Sequence, residues 1–238
     1  MKAIILAAGR GLRLKPAISK IPKPLTPLLS KKTILDFQVE KLSKFISINN
    51  ILVVVGYKKE LIMESHPELI FIYNNDYTKT NTSKSLLRAL GKINEDAIWL
   101  NGDVFFEEKV LDLLLSSKES ACLVDRKKCG PEEIKYNVND KGYIKEISKN
   151  VPNAEGEAVG INLIKEKDLA KFRNELLRVD NNDYFEKALE NLTLDNKIKL
   201  RPIYIGNFFC QEIDFPEDLE KVQNHLFRKV INRKFSKY

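Results

Sequence analysis

A short segment near the start of the chain combines small residues with positive charge. Gly9 and Gly11 follow the apolar run at residues 3–6, which predicts a buried parallel strand. Because glycine has no side chain, backbone N–H groups in such a loop can approach a polyphosphate closely. The basic residues of the segment are Arg10, Arg13, Lys15 and Lys23. Strand, glycines and positive charge together predict a binding site for a nucleoside triphosphate.

Two better-known phosphate-binding loops do not explain this segment. A dinucleotide-binding loop has a third glycine three residues after the second, where this chain has Leu14. That loop also opens directly into a helix, which Pro16 and Pro22 disfavour here. The Gly-x-x-x-x-Gly-Lys-Ser/Thr pattern of the P-loop is absent from the sequence.

Three carboxylates stand where extended segments end. Asp103 follows the predicted strand at residues 97–100, and ligands of open α/β sheets bind at such ends. Glu212 and Asp214 are two residues apart in an extended segment, so both point to one face while Ile213 packs behind. Oxygen ligands of this kind suit Mg²⁺. Taken alone, an Asp after a Gly is more typical of a turn residue that bonds its own loop.

The segment at residues 73–86 is dense in amide and hydroxyl side chains. Such groups offer paired donors and acceptors that can read the edge of a pyrimidine base. A structural role is also open, because the same residue types form Asx turns and helix caps. The central residues of this segment are Asn81, Thr82 and Ser83.

Alternating elements in the first half must position these groups. Predicted strands lie at residues 3–6, 51–55, 69–73 and 97–100, and predicted helices at residues 34–45 and 58–65. Thr82 or Ser83 is predicted to cap a third helix, which ends at Gly91. Thr33 is suited to cap the first of these helices. Repeated strand–helix–strand units predict a parallel, doubly wound sheet.

The second half has a different pattern. Residues 133–138 and 143–148 flank the turn signal at residues 139–142, which predicts a hairpin. Further strands are predicted at residues 159–164, 198–203 and 207–213, and helices at residues 167–177, 182–192 and 216–229. We therefore expect a single domain over residues 1–238, with a nucleotide-binding half at 1–120. The half at 121–238 would complete the sheet and hold a small β-rich substrate lobe.

Composition restricts the class of protein. The length of 238 residues suits one sizeable domain, and the net charge of +7 favours anionic ligands. No basic run interleaved with aromatic residues is present, which argues against nucleic acid as the partner. The basic tail at residues 225–238 has apolar residues at helical spacing, which favours a helix docked on the protein's own core over one on a membrane surface.

Cysteine usage and hydropathy indicate the cellular compartment of the protein. The three cysteines, Cys122, Cys129 and Cys210, show no Cys-x-x-Cys spacing, so neither a disulfide framework nor a zinc site is expected. No apolar run approaches the ~18 residues that span a bilayer. These features predict a cytoplasmic protein without stable membrane insertion, as a monomer or homodimer.

The first segment also matches a longer signature. In the nucleotidyltransferases that activate phospho-sugars and phospho-alcohols, it runs Leu-Ala-Ala-Gly-x-Gly-x-Arg-Leu, x-Pro, then Pro-Lys-Pro/Ala-Leu. The chain matches it at residues 6–9, 11, 13–14, 16 and 22–25. It departs at Leu12, where the family often has Ser or Thr. The chain therefore resembles this family. Its Asn-Thr-Ser and Glu-Ile-Asp runs are most similar to the cytidylyltransferases of phosphocholine and related small phosphates.

The resemblance implies a fold and a set of site residues. The fold would be α/β, a Rossmann-like (GT-A-like) mixed and mainly parallel sheet flanked by helices. The implied catalytic residues are Arg13, Lys23 and Asp103, and the implied metal ligands for Mg²⁺ are Asp103, Glu212 and Asp214. The implied nucleotide-binding residues are Leu6, Ala7, Ala8, Gly9, Gly11, Asn81, Thr82 and Ser83. The implied acceptor-binding residues are Lys149, Glu157 and Asp183.

The implied reaction joins CTP to a small phosphorylated or phosphonate acceptor and releases pyrophosphate. Phosphocholine, 2-aminoethylphosphonate and inositol 1-phosphate are the acceptors that the resemblance offers. A choline cation would require an aromatic cage. The aromatic residues available for a cage are Tyr136, Tyr143, Tyr184 and Phe185. Three alternatives remain open: a hexose-1-phosphate uridylyl- or thymidylyltransferase, a non-catalytic nucleotide-binding module, and a basic nucleic-acid-binding protein.

Overall fold

The computed structural model describes residues 1–14 and 21–235. Lys15 and Pro16 of the first segment and the last three residues of the basic tail lie outside these ranges. The strands are β1 Lys2–Ala7, β2 Pro27–Leu29, β3 Lys32–Thr33, β4 Ile51–Val55, β5 Ile70–Tyr73, β6 Ala97–Asn101, β7 Val104–Phe106, β8 Ala121–Asp125, β9 Lys135–Val138, β10 Ile144–Ser148, β11 Gly156–Ile164, β12 Arg201–Tyr204 and β13 Cys210–Glu212. The helices are α1 Ile34–Leu42, α2 Lys59–Ser65, α3 Thr82–Leu90, α4 Lys109–Leu115, α5 Glu166–Arg178, α6 Phe185–Leu194 and α7 Pro216–Phe235.

A nine-stranded mixed sheet forms the centre of the described chain. Its order is β10-β9-β11-β6-β1-β4-β5, and β8 joins β11 to β12. β1 runs parallel to β4 and β6, and β4 runs parallel to β5. The predicted Rossmann-like fold is therefore confirmed, and the first predicted strands lie side by side as expected.

Both faces of the sheet are covered because side chains of β1 alternate between them. Ile4 and Leu6 pack in one apolar cluster with α3, α5 and α6. Ile5 packs in a second cluster with α1, α2 and α4. An apolar run without polar alternation is what a strand buried on both faces requires. Thr33 and Asp36 form a capping box at the start of α1, as the sequence indicated for Thr33.

The second half joins the same sheet through β11. The predicted hairpin forms as β9 and β10, and β9 pairs with the start of β11 at Gly156 and Glu157. The rest of β11 runs antiparallel to β6 and β8. The β-rich part is thus an extension of the central sheet, held by one nine-residue strand. β8 and α4 were absent from the predicted elements, and they belong to the central layers.

The closing helix packs on the first segment of the chain. Val222 and Leu226 of α7 share a third apolar cluster with Leu14, Phe105 and Ile213. Within the basic tail, Leu226 is buried as the predicted docking on the protein's own core requires, whereas Phe227 and Val230 are 57% and 41% exposed. α7 continues beyond the predicted end to Phe235. No helix in the described ranges has the length and apolar character to cross a membrane.

Candidate functional site

A cavity of about 330 Å³ opens at the carboxyl ends of β1 and β6. One side is formed by residues 6–11, which we call the glycine loop, and by Lys23. The opposite side, which we call the α6 wall, is Glu132, Ile134, Lys149, Tyr184, Phe185 and Glu186. The floor carries Asp103, Glu212 and Asp214, which we call the carboxylate cluster. Thirteen of the predicted site residues line this one cavity: Leu6, Ala7, Ala8, Gly9, Gly11, Arg13, Lys23, Asn81, Thr82, Asp103, Lys149, Glu212 and Asp214.

Gly11 makes room for Lys23 beneath the glycine loop. Its φ of +55° is a conformation that side chains rarely adopt, and a Cβ atom here would lie 2.8 Å from Cβ of Lys23. Lys23 begins a single 3₁₀ turn over Lys23–Leu25, and the hydroxyl of Thr26 donates to its carbonyl oxygen at 2.6 Å. The backbone of Lys23 is therefore held by the 3₁₀ turn that follows it, and its side chain lines the cavity.

Lys23 joins two members of the carboxylate cluster. Its Nζ donates to Oδ2 of Asp103 and to Oδ1 of Asp214, each at 2.6 Å. Burial alone would lower the pKa of Lys23, but the charges and hydrogen bonds of the two carboxylates raise it above its usual value. The ammonium therefore stays charged, although the residue is only 7% exposed.

The turn that carries Asp103 is held from two directions. The backbone N–H of Gly102 donates to the carbonyl of Leu6 at 2.9 Å, and a Cβ atom on Gly102 would lie 2.7 Å from that oxygen. The buried side chain of Gln38 donates to the carbonyls of Asn101 and Val104 at 2.9 and 2.8 Å. Gln38 was not among the predicted site residues. Gln38 holds this turn because α1 packs beside it, and no local sequence pattern predicts that contact.

β13 brings the other two carboxylates to Asp103. Glu212 lies opposite Val104 in the antiparallel pair of β13 with β7, and the N–H of Ile213 donates to the carbonyl of Asp103 at 3.0 Å. Ile213 is fully buried, as predicted. Burial raises the pKa of Glu212 to about 8, helped by the charges of Asp103 and Asp214. The carboxylate cluster is thus crowded with negative charge.

The fit of this cluster to a metal rests on its donors. Among the described residues, Oδ1 of Asp103 is buried and has no hydrogen-bond partner, and carboxylates are the oxygen donors that Mg²⁺ prefers. No group of three His, Cys, Asp or Glu side chains in residues 1–14 and 21–235 is arranged as a ready metal site. Lys23 supplies the cation that Asp103 and Asp214 share. The donor types therefore suit a divalent cation, whereas the present arrangement is the one that binds the Lys23 ammonium.

A chain of ion pairs crosses the cavity from this cluster to the α6 wall. Arg13 lies 3.0 Å from Oδ2 of Asp214 and 3.5 Å from Oε2 of Glu132. The same oxygen of Glu132 is 3.0 Å from Nζ of Lys149. Arg13 and Glu132 are about half exposed, so they can separate at little cost in free energy. Two cations predicted for phosphate binding, Arg13 and Lys149, are therefore held by one carboxylate.

The polar segment before α3 forms a further wall. Asn81 caps the helix by accepting from the N–H of Thr82 at 2.8 Å, so the cap lies before both predicted candidates, Thr82 and Ser83. Thr82 and Ser85 line the cavity, whereas Ser83 is fully buried and does not. Asn74 is fully buried and donates to hydroxyls of Thr80 and Ser85, at 3.1 and 2.9 Å.

Two predicted acceptor-binding residues do not line the cavity in the described chain. Glu157 on β11 is paired with Lys127 at 2.5 Å. Asp183 accepts from the N–H of Asp180 at 2.8 Å and closes a turn before α6. Lys149 does reach the cavity, beside Glu186, which the sequence reasoning did not select. The Glu186 position carries no local motif, since it stands in the first turn of an ordinary amphipathic helix.

A protein-family comparison decides the class of this site. Residues 3–157, which include the glycine loop, the segment before α3 and Asp103, match the MobA-like NTP transferase domain. The chain belongs to this family. As a MobA-like NTP transferase, it is a nucleotidyltransferase domain of the sugar- or phosphate-nucleotide type. The predicted resemblance to nucleotidyltransferases is therefore confirmed at this level.

A curated relative of this MobA-like chain is considerably longer than the chain itself. It is 28% identical over 248 residues to the bifunctional protein GlmU of Methanococcus maripaludis, covering 98% of the chain and 56% of the relative. The chain thus spans about half the length of the first curated relatives that it matches.

Solved structures share the fold at low identity. The CTP:phosphocholine cytidylyltransferase of Streptococcus pneumoniae has a TM-score of 0.78 and 20% identity, over 94% of this chain and 98% of its own. The inositol-1-phosphate CTP transferase of T. maritima has a TM-score of 0.76 and 18% identity, over 94% of both chains. Neighbours of the same fold also include a UDP-glucose pyrophosphorylase. Nucleotidyltransferases of this type generally use a divalent metal.

Proposed function

We propose that this chain transfers CMP from CTP to a small phosphorylated alcohol or phosphonate, with Mg²⁺, and releases pyrophosphate. One observation carries the proposal: the ammonium of Lys23 lies under the glycine loop and contacts Asp103 and Asp214 at 2.6 Å each. A cation between a phosphate-binding loop and a carboxylate cluster is the arrangement that a triphosphate with a metal requires. A module that only binds nucleotide has no chemical need for the second carboxylate.

The triphosphate has its partners on the glycine-loop side. Ala8, Gly9 and Gly11 line the cavity, and their small size lets backbone N–H groups approach a polyphosphate closely. Arg13 and Lys23 supply the charge that the β- and γ-phosphates require. Because pyrophosphate leaves with the electron pair of the broken bond, positive charge at these two residues stabilises the transition state.

The acceptor needs little activation. A phosphate or phosphonate oxygen is already an anionic nucleophile, so no general base is required. It forms a bond to the α-phosphorus of CTP while the bond from that phosphorus to the bridging oxygen breaks. Lys149 on the α6 wall, freed from Glu132, would hold the acceptor phosphate for this attack, and positioning would supply much of the rate.

Asp103 and Asp214, with Glu212, would hold the Mg²⁺. Bound there, the metal would supply Lewis-acid neutralisation of the phosphate oxygens that the two substrates bring together. Lys23 would remain beside it on the triphosphate.

The preference for CTP is supported by the wall before α3. Asn81, Thr82 and Ser85 present an amide and two hydroxyls at the cavity, and such groups can pair with the edge of a small pyrimidine. Tyr77 adds an aromatic ring to the same wall. The names of two structural neighbours also specify CTP.

A pyrophosphate-release assay tests the proposal. It crosses CTP, UTP, dTTP, ATP and GTP with phosphocholine, 2-aminoethylphosphonate, inositol 1-phosphate and glucose 1-phosphate, in Mg²⁺. We expect release with CTP and a non-sugar acceptor, reduced about 100-fold or more in Asp103→Asn. Asp112→Asn is the matched control, because Asp112 lies on α4 and pairs with Lys109 at 3.2 Å.

The alternatives predict other outcomes of the same assay. Release only with UTP or dTTP and glucose 1-phosphate would assign the chain to hexose-1-phosphate nucleotidyl transfer. CTP binding without release for any acceptor would favour a regulatory module. Salt-sensitive binding of nucleic acid that ignores Mg²⁺ would favour the nucleic-acid alternative.

A further inference from the structure

Glu186 is a buried carboxylate on the wall of the cavity that the proposed reaction leaves without a task. It is the second residue of α6 and is 6% exposed. Within residues 1–14 and 21–235, its Oε2 atom has no hydrogen-bond partner. A buried acceptor without a donor is costly, so a carboxylate left this way beside a cavity indicates a donor on the ligand.

In the described chain, no salt bridge joins a cation to Glu186. Burial raises the pKa of Glu186 to about 7, and its own backbone N–H and the positive charge of Lys149 only partly oppose this. Lys149 is itself bonded to Glu132 at 3.0 Å. The thiol of Cys122 on β8 is the other titratable group that interacts with Glu186, and its pKa is raised, so it stays neutral.

The aromatic residues nearby do not form a cage for a quaternary ammonium. Tyr136 is fully buried, and Tyr143 is bonded to Glu119 and Arg201. The ammonium of Lys149 lies 5.5 Å from the ring centre of Tyr184, and the Phe185 ring packs edge-on against Trp99 at 5.5 Å. Tyr184 and Phe185 therefore supply two rings at the cavity, and Tyr136 and Tyr143 add none, so the wall lacks the several convergent ring faces of a cage.

We propose that Glu186 selects the acceptor by pairing with a protonated primary amine at the end remote from its phosphate. The acceptor would then be an aminoalkyl phosphate or phosphonate, and Glu186 its specificity-determining residue. This rests on the proposed transfer to a small phosphate. A primary ammonium brings the N–H donors that Oε2 lacks, whereas a trimethylammonium group brings none. Lys149 and Glu186 both lie on the α6 wall. Lys149 would bind the anionic end of such a molecule, and Glu186 would bind its cationic end.

Paired acceptors test the proposal directly. We would compare 2-aminoethylphosphonate with propylphosphonate, in which a methyl group replaces the ammonium, at saturating CTP and Mg²⁺. We expect kcat/KM to favour the amine about 100-fold, since a polar site rejects an analogue that leaves its groups unpaired. In Glu186→Gln this ratio should fall to below about 10-fold through the KM of the amine, with the KM of CTP unchanged.

Glu190→Gln is the matched control. Glu190 is on the same helix, is 8% exposed and is bonded to Lys187 at 3.0 Å. It does not line the cavity, so its change should leave the ratio unaltered. Equal use of both phosphonates by the unmodified chain, or an unchanged ratio in Glu186→Gln, would overturn the proposal. So would a preference for phosphocholine or inositol 1-phosphate over the amine.

Calorimetry separates failure of this proposal from failure of the proposed reaction. With a non-hydrolysable CTP analogue present, 2-aminoethylphosphonate should bind at pH 7 with release of part of a proton, because pairing with the amine returns Glu186 to its charged form. Buffers of different ionisation enthalpy measure this release, and Glu186→Gln should abolish it. If no nucleotide–acceptor pair yields pyrophosphate but the release is seen, the reaction is wrong and the amine site stands. No binding, or binding without release, overturns the amine site.

Discussion

Nζ of Lys23 and Oδ2 of Asp103 lie 2.6 Å apart, although 80 positions separate them in the sequence. A second bond, to Asp214, ties the same ammonium to a position 191 residues further along the chain than Lys23. One side chain thus connects the first segment, the β6–β7 turn and the end of β13. Gln38 and the pairing of β13 with β7 hold two of these segments in place, and the cation joins their carboxylates to the first segment.

Replacing Lys23 by an uncharged residue should distinguish the structural role of its ammonium from its role in the reaction. Lys23→Met keeps most of the side-chain length but leaves Asp103 and Asp214 to repel each other. We expect pyrophosphate release to fall about 100-fold. Mg²⁺ should raise the melting temperature of the variant by more than that of the unmodified chain, because it replaces the lost charge. Lys44→Met removes the exposed pair with Glu108 and should change neither. Equal stabilisation of both proteins by Mg²⁺ would contradict the assigned metal ligands.

Glycine substitutions should distinguish strain from obstruction. Gly11→Ala adds a Cβ atom 2.8 Å from that of Lys23 at a φ of +55°, so we expect a loss of about 1–2 kcal/mol in stability and at least a tenfold loss of activity. Gly142→Ala introduces the same backbone strain, at a φ of +73°, but no described atom lies within 4 Å of the added Cβ atom. This variant should lose stability and keep its activity. Gly9→Ala has neither a positive φ nor a contact, and should fold normally. Denaturant melts and pyrophosphate release on the three variants make the comparison. An active Gly11→Ala protein would show that Lys23 tolerates displacement.

The fully buried Asn74 should control nucleotide affinity through the loop before α3. Asn74→Ala removes the donors to Thr80 and Ser85 and the acceptor for the N–H of Asp76. We expect the KM of CTP to rise about tenfold, because the loop loses its fixed shape while the sheet stays intact. The control is Asn139→Ala, which removes a similar side-chain bond in the β9–β10 turn. Its KM for CTP should be unchanged, and a rise there would indicate a general loosening of the fold.

Stability without ligands should depend on pH through Glu186. Its pKa of about 7 in the folded chain exceeds the ~4.5 of an unfolded glutamate, so the folded state binds more protons between these values. The contribution of Glu186 to stability therefore falls as pH rises from about 4.5 to 7 and is level above that range. The free energy of unfolding of the unmodified chain, minus that of Glu186→Gln, should drop by about 3 kcal/mol between pH 4.5 and 8. Denaturant titrations at these two pH values measure the drop, and a constant difference would contradict the burial of this carboxylate.

Local patterns were sufficient for much of the fold. Strands buried on both faces are uninterrupted apolar runs, so β1 and β4 were predicted nearly to the residue. β11 was predicted to begin at residue 159 but begins at Gly156. Its first residues pair with the hairpin, and a Cβ atom at Gly156 would lie 2.0 Å from the carbonyl of Asp125. That close approach depends on strands far apart in the sequence, so no local pattern reports it.

The prediction of individual site residues from the sequence is limited for the same reason. Asn81, Thr82 and Ser83 were predicted together, but the helix turns by about 100° per residue, so Ser83 points into the core and Ser85 reaches the cavity. Glu186 resembles any charged residue in the first turn of an amphipathic helix. α6 packs on β10, α5 and α3, and in the folded chain Glu186 is 6% exposed. Burial of a charge is a tertiary property, and motif reading does not detect it.

The packing of Leu14 against Val222 and Leu226 has a consequence for synthesis of the chain. Leu14 is translated about 200 residues before α7, the helix on which it packs. On the ribosome, the parallel sheet can assemble while the segment around Leu14 still lacks this support. Nucleotide binding should therefore appear late and abruptly, once α7 has left the exit tunnel. Stalled nascent chains that end before Pro216 should bind CTP much more weakly than released chains.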